Sequence, residues 1–123
     1  MEINQVYKCN VCGNIVELLH VGGGQLVCCG QPMELLKEKE KEEGQEKHRP
    51  VINIKNEEIE VKVGEILHPM EENHFIEWVE VFVKDRAYRR FLKPGEEPIV
   101  SFSIKDKPER VRIYCNIHGL WRN

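Results

Sequence analysis

The sequence predicts an all-β protein: a small cysteine-rich metal-binding unit followed by an antiparallel β-sandwich or barrel. Three observations carry this reading. Four of the five cysteines lie within the first 29 residues, in a patterned cluster. From Pro50 onward, short strand-like runs recur between Pro/Gly turns, the rhythm of strands joined by tight connections. No convincing helix signal appears outside one charged run.

The first unit spans residues 1–36. So short a segment buries too little apolar surface to fold unaided and needs a metal or another staple. Cys9-Asn10-Val11-Cys12-Gly13 is a turn that aims two sulfurs at one point. Its glycine lets the backbone take a positive φ and turn amides toward the thiolates. Fifteen residues, 13–27, separate this turn from Cys28-Cys29, and Gly22-Gly23-Gly24 is expected to form the hairpin turn that brings the chain back. Four thiolates suit one tetrahedral metal, and spacing alone fits zinc and a single iron equally. Neighbouring residues of a strand point to opposite faces, so Cys28 and Cys29 can share one metal only at a turn or with distortion.

Residues 37–47 are expected to form a charged linker. The run Lys37-Glu38-Lys39-Glu40-Lys41-Glu42-Glu43-Gly44 has almost no apolar face and reads as a solvated linker or an exposed turn of helix. The third segment, 48–123, carries the strands. Residues 51–54 and 59–63 alternate apolar with polar, and 75–83 is rich in aromatic and β-branched residues, as a buried strand would be. Further strands are expected at 88–92, 99–104 and 111–115, with turns at 94–98 and 105–108.

Composition excludes some functions. Hydrophobic residues are 41% and charged residues 32%, which fits a soluble globular protein, and 18 basic against 21 acidic residues leave a net charge of −3. That balance argues against a broad nucleic-acid surface, which needs a basic field. There is no apolar run of about 18 residues to cross a membrane. Residues 1–5 lack the basic start and apolar core of a signal peptide. A cytoplasmic location is therefore expected, where disulfides are rare; an odd number of cysteines could not all pair in any case.

Five further candidate ligands lie in the third segment: His48, His68, His74, Cys115 and His118. Each alone is weak, but two local pairings matter. His68-Pro69-Met70-Glu71-Glu72-Asn73-His74 puts two imidazoles on one loop stiffened by Pro69. Cys115-Asn116-Ile117-His118-Gly119 can offer a thiolate and an imidazole to the same ion. Five donors are too many for a closed tetrahedral zinc site; four nitrogens and one sulfur suit a square-pyramidal iron with one position open. His20 has no such partner and reads as a surface or packing residue.

Over essentially its whole length the chain resembles desulfoferrodoxin, the two-iron class of superoxide reductase. Cys9, Cys12, Gly13, Cys28, Cys29, Gly30, Pro32 and Met33 are similar to that family's desulforedoxin motif. Glu46-Lys47-His48 before Pro50 resembles its E-K-H element. His68-Pro69-Met70 with His74, Ile76 and Trp78 resembles its H-P-M-x-x-x-H-x-I-x-W element, and the stretch from Cys115 to Trp121 its C-N-x-H-G-x-W. The resemblance implies a small desulforedoxin-like domain ahead of an immunoglobulin-like antiparallel β-sandwich, and two iron ions per chain. One would be held by Cys9, Cys12, Cys28 and Cys29. The other would be held by His48, His68, His74 and His118 in a plane, with Cys115 behind.

The implied reaction is one-electron reduction of superoxide to hydrogen peroxide. Superoxide is the implied substrate, a rubredoxin-like carrier the electron donor, and a homodimer the assembly. Neither nucleic acid nor membrane is expected as a partner. Ferrous iron, neutral imidazoles and one thiolate leave a local charge of about +1, to which Lys47 would add, so attraction of the anion must be local in an acidic protein. Glu46 resembles the glutamate that closes the open position when the iron is ferric. Two other readings compete on residues alone: an electron carrier whose second metal is structural, and a zinc-ribbon nucleic-acid module.

Overall fold

Short antiparallel strands build both parts of the chain, in agreement with the all-β expectation. The computed structural model describes residues 1–123 as two units, Met1–Lys37 and Glu38–Asn123.

In the first unit, β1 (Val6–Lys8) pairs with β2 (Ile15–Glu17); a second hairpin joins β3 (Val27–Cys28) to β4 (Gln31–Pro32), and β5 (Glu34–Leu35) adds to the free side of β1. The β3–β4 connection is the two-residue turn Cys29-Gly30, with φ of +52° and +72°. Two consecutive left-handed residues make the hairpin turn whose twist suits antiparallel strands. The glycine run at 22–24 is not that turn: it lies in the loop between β2 and β3, which belong to different sheets. Val6, Tyr7 and Cys9 are buried, whereas Ile3, Val11, Val16, Leu19, Val21, Val27 and Leu35 are exposed. Apolar burial that sparse leaves the fold dependent on a covalent or metal staple.

The second unit opens with one helical turn, α1 (Gln45–His48), followed by β6 (Pro50–Lys55), β7 (Glu58–Val63), β8 (Ile76–Val83), β9 (Arg86–Phe91), β10 (Ile99–Phe102), β11 (Arg110–Cys115) and β12 (Gly119–Arg122). They form two antiparallel sheets, ordered β10-β7-β6 and β12-β11-β8-β9. Alternation decides the facing: Ile59, Val61 and Val63 of β7 are fully buried between polar neighbours. They meet Val79, Val81, Val111, Ile113, Cys115 and Trp121 in one core, the interleaved packing of a sandwich. The expected strands are present, with ends shifted by a residue or two. Strand β12, the five short strands of the first unit and the helical turn lie outside the sequence expectation.

The charged run is not uniformly solvated. Lys39 bridges to Trp121 at the free edge of β12, its amide donating to the Leu120 carbonyl and its carbonyl accepting from the Arg122 amide, both at 2.9 Å. Glu38 takes an ion pair from Arg112 at 2.9 Å and another from Arg110 at 3.3 Å. One glycine fixes the approach of α1. Gly64 has φ +85°, and a Cβ there would lie 2.5 Å from the Ile66 carbonyl oxygen and 2.6 Å from the Lys47 carbonyl. Only a residue without a side chain lets β7 run this close beneath the helix. No helix is long and apolar enough to cross a membrane.

Candidate metal centres

The four N-terminal cysteine sulfurs converge, with all ligand atoms within 4.8 Å of one another. Cys9 and Cys12 come from a tight turn after β1, closed by the Gly13 amide donating to the Cys9 carbonyl at 2.9 Å. Gly13 takes φ +83°, and the amides of Cys12 and Asn14 point at the Cys9 and Cys12 sulfurs, each at 3.5 Å. The Cys12 amide foremost, then the Val11 amide and the bonds with the Cys12 and Cys28 sulfurs, lower the Cys9 thiol to about 6 against the opposing effect of burial. The Cys29 thiol is pushed up to about 12, chiefly by its hydrogen bond with Cys12 and then by those with Cys28 and Cys9. Crowded thiols thus share protons, and all four become thiolates only when a cation takes their place. The adjacent Cys28 and Cys29 reach one point because Cys29 sits in the turn rather than in the strand; their sulfurs lie 3.9 Å apart.

A second group gathers His48, His68, His74, Cys115 and His118, again with donor atoms within 4.8 Å of one another. Each comes from the end of an element. His48 closes α1, and its Nδ1 lies 2.8 Å from the Gly44 carbonyl oxygen. His68 follows β7, with Nδ1 2.7 Å from the Pro69 carbonyl oxygen. A carbonyl only accepts, so both Nδ1 atoms carry the proton and both Nε2 atoms are bare. Those bare nitrogens face each other at 3.2 Å, an arrangement of lone pairs that a shared cation satisfies. His74 ends the turn 71–74, held by reciprocal backbone bonds with Glu71. Its Nε2 is buried with no hydrogen-bond partner. A buried ring nitrogen without a hydrogen-bond partner, in a group of converging donors, suits an electrophile such as a metal ion.

Cys115 and His118 come from the β11–β12 hairpin. Cys115 pairs with Gly119, leaving a three-residue loop ended by Gly119 at φ +85°, the usual left-handed closure of such a loop. A register shift between Tyr114 and Cys115 bends the strand at the ligand, as bulges beside functional sites do. The Cys115 sulfur is fully buried and accepts the His118 amide at 3.4 Å. Burial pushes its thiol up, opposed by the amides of His118 and Ile117. Burial also holds His68 down to about 4 and lowers His48 and His118. Neutral imidazoles with one sulfur fit a borderline transition metal such as iron.

The family model described as desulfoferrodoxin matches residues 40–123, and the model of the desulfoferrodoxin N-terminal domain matches residues 1–36. The chain belongs to the desulfoferrodoxin family. A desulfoferrodoxin homolog from Archaeoglobus fulgidus is 55% identical over 122 residues, 99% of this chain and 98% of that one. Among solved structures, the superoxide reductase from Treponema pallidum has TM-score 0.82 at 23% identity, covering 99% of this chain and 98% of its own; that likeness is one of fold. The superoxide reductase from Nanoarchaeum equitans is 30% identical, with TM-score 0.54, covering 72% of this chain and 95% of its own.

The structure brings all nine candidate desulfoferrodoxin ligands into two groups. Lys47 and Glu46 are both exposed on α1, beside His48 in sequence. Neither belongs to the converging donors; Glu46 lines a groove with Arg49, Glu65 and Asn123. His20 is exposed and joins neither group.

Three residues that shape the second site carried no signal of their own in the sequence. The Asn116 side chain accepts from the Phe75 amide at 2.9 Å and donates to the Asn73 carbonyl at 3.1 Å, tying the His74 turn to the Cys115–His118 loop. Trp121 stacks on His48, centroids 4.9 Å apart and 15° from parallel. Lys39 reaches the His118 carbonyl. Asn116 and Trp121 stand inside the desulfoferrodoxin motif, whereas Lys39 was hidden in a charge run.

Proposed function

We infer that this chain is a superoxide reductase, which carries out the one-electron, two-proton reduction of superoxide to hydrogen peroxide. The observation that carries this reading is the convergence of four imidazoles and one buried thiol in a chain of this family. Solved relatives of the second unit are named superoxide reductases. The chain holds two irons, one in the four-cysteine group and one in the group with four histidines. We assign Cys9, Cys12, Cys28 and Cys29 to the first, and His48, His68, His74, Cys115 and His118 to the second.

When bound at the second group, iron supplies the electron. The protein's own contribution is to present donors and govern charge. The carbonyls of Gly44 and Pro69 hold His48 and His68 in the tautomer that offers Nε2. The His118 amide draws off part of the Cys115 thiolate charge. Trp121 fixes the plane of the His48 ring. Lys47, exposed next to His48, supplies a positive field for an incoming anion, and Glu46 is the carboxylate that answers oxidation of the centre. Lys47→Ala slows superoxide capture about tenfold at low ionic strength, and the gap closes as salt screens the charge. Stopped-flow rates across a salt series check this; equal rates at low salt would remove the steering role.

Further assignments complete the proposal: a division into 1–36, 37–47 and 48–123, a rubredoxin-like electron donor, a homodimer, and a cytoplasmic location. Iron analysis with a superoxide-consumption assay tests the central claim. Two irons per chain and turnover of superoxide into peroxide are expected. Zinc in both groups after expression in iron-replete medium, or iron without turnover, would overturn it.

A further inference from the structure

A lysine not adjacent to any ligand in sequence has its side chain bonded to the second donor group. Lys39 belongs to the charged run, yet its backbone is fixed. It makes a one-residue parallel bridge to the edge of β12, with hydrogen bonds on both sides of Trp121. Its neighbours reinforce the placement: Glu38 pairs with the buried Arg112 at 2.9 Å, and Glu40 with Arg122 at 3.4 Å. With the main chain held, the side chain runs back along the hairpin. Its Nζ donates to the His118 carbonyl at 2.9 Å and lies 5.5 Å from the centre of the Trp121 ring. The Trp121 indole donates to that same carbonyl at 3.1 Å, while its other role is to stack on His48. One ammonium group thus touches the main chain of one candidate ligand and the aromatic plane that supports another.

We propose that Lys39 is a positioning residue for the second centre, which pins the Cys115–His118 hairpin and whose charge raises the electron affinity of the metal held there. The inference rests on the superoxide reductase reading of this site. A cation beside a redox metal stabilises the form with fewer positive charges, here the ferrous one, and partial burial weakens the solvent screening that would cancel it. The two parts of the role separate chemically. A hydrogen bond to the His118 carbonyl needs a donor of suitable length; tuning needs a charge. Lys39→Gln retains a donor without charge, Lys39→Arg retains both, and Lys39→Met retains neither.

The test is a redox titration of the full, iron-loaded chain, following the visible absorption of each centre, with amide hydrogen exchange at Gly119 as a second readout. Lys39→Gln and Lys39→Met are expected to lower the potential of the second centre alike. The expected shift is tenfold in the ferric-to-ferrous ratio, about 59 mV for one electron, with the four-cysteine centre unmoved. Lys39→Arg keeps the parent potential. Exchange at Gly119 rises in Lys39→Met and stays near the parent rate in Lys39→Gln. Parent-like potentials in both uncharged variants would overturn the proposal, as would a fall in Lys39→Arg equal to that in Lys39→Met. A parent protein that takes up no redox-active iron in the five-donor group would overturn the underlying reading as well, a result visible before any variant is compared.

Discussion

Replacing Cys115 by serine removes about hundredfold or more of the superoxide-reducing activity, the upper end of what even outer-shell changes at metal sites cost. Cys12→Ser, which alters the other donor group, costs far less. The sulfur is the only soft donor among the five and the only one that carries charge at neutral pH once a metal binds. A serine hydroxyl is nearly the same shape, so the core position survives, but it neither ionises readily nor donates comparable electron density. The buried position sharpens the effect: Cys115 is fully enclosed in the sandwich core, so no water replaces the lost donor without opening the packing. Stopped-flow superoxide consumption, normalised to bound iron, reads the outcome. Equal losses in Cys115→Ser and Cys12→Ser would place the chemistry in the four-cysteine group.

What the sequence made legible follows from how local each signal is. Strand alternation in β6, β7 and β11 depends on near neighbours facing one core, and those strands were readable within a residue or two. The ligands were readable because metal donors come in short turn motifs. Cys9-x-x-Cys12 and Cys115-x-x-His118 announce themselves, and an adjacent cysteine pair demands the turn that Cys29 and Gly30 provide. Contacts between distant elements were not readable. Lys39 and Glu38 look solvated among alternating charges until the chain lays them along β12 and beside Arg112. Strand β12 was hidden because Gly119 reads as a turn residue; Asn116 stood in the Cys115–His118 motif, but the bridge its side chain makes between two loops leaves no periodic trace. Glu46 and Lys47 are legible only by adjacency to His48: the helical turn that carries that ligand leaves both side chains exposed beside it in the chain.

Glu80→Ala lowers stability by about 3–5 kcal/mol, the expected loss when one partner of a buried ion pair is deleted. The outer face of the four-stranded sheet explains why. Glu80 is fully buried in β8 and accepts from the Arg112 Nε at 2.8 Å and the Trp78 indole at 2.9 Å, besides pairing with Arg89. Arg112, only 1% exposed, is packed under the Phe82 ring at 4.8 Å. Removing the carboxylate leaves this guanidinium, still paired with Glu38, short of its buried counter-ion in a low-dielectric setting and strips the indole of its acceptor. Each buried group left short of a partner pays its desolvation in full. Thermal unfolding therefore shifts down by on the order of 15 °C. The double variant Glu80→Leu with Arg112→Met recovers the part of that loss owed to the uncompensated guanidinium, because apolar replacement removes both charges together, while the Trp78 indole stays without its acceptor. The exposed pair Lys105–Glu57, at 3.4 Å, serves as the comparison: Lys105→Ala changes stability by less than about 1 kcal/mol. A Glu80→Ala protein that melts with the parent would show that Arg112 is hydrated rather than enclosed, and the strand that carries Cys115 would then owe its position to packing alone.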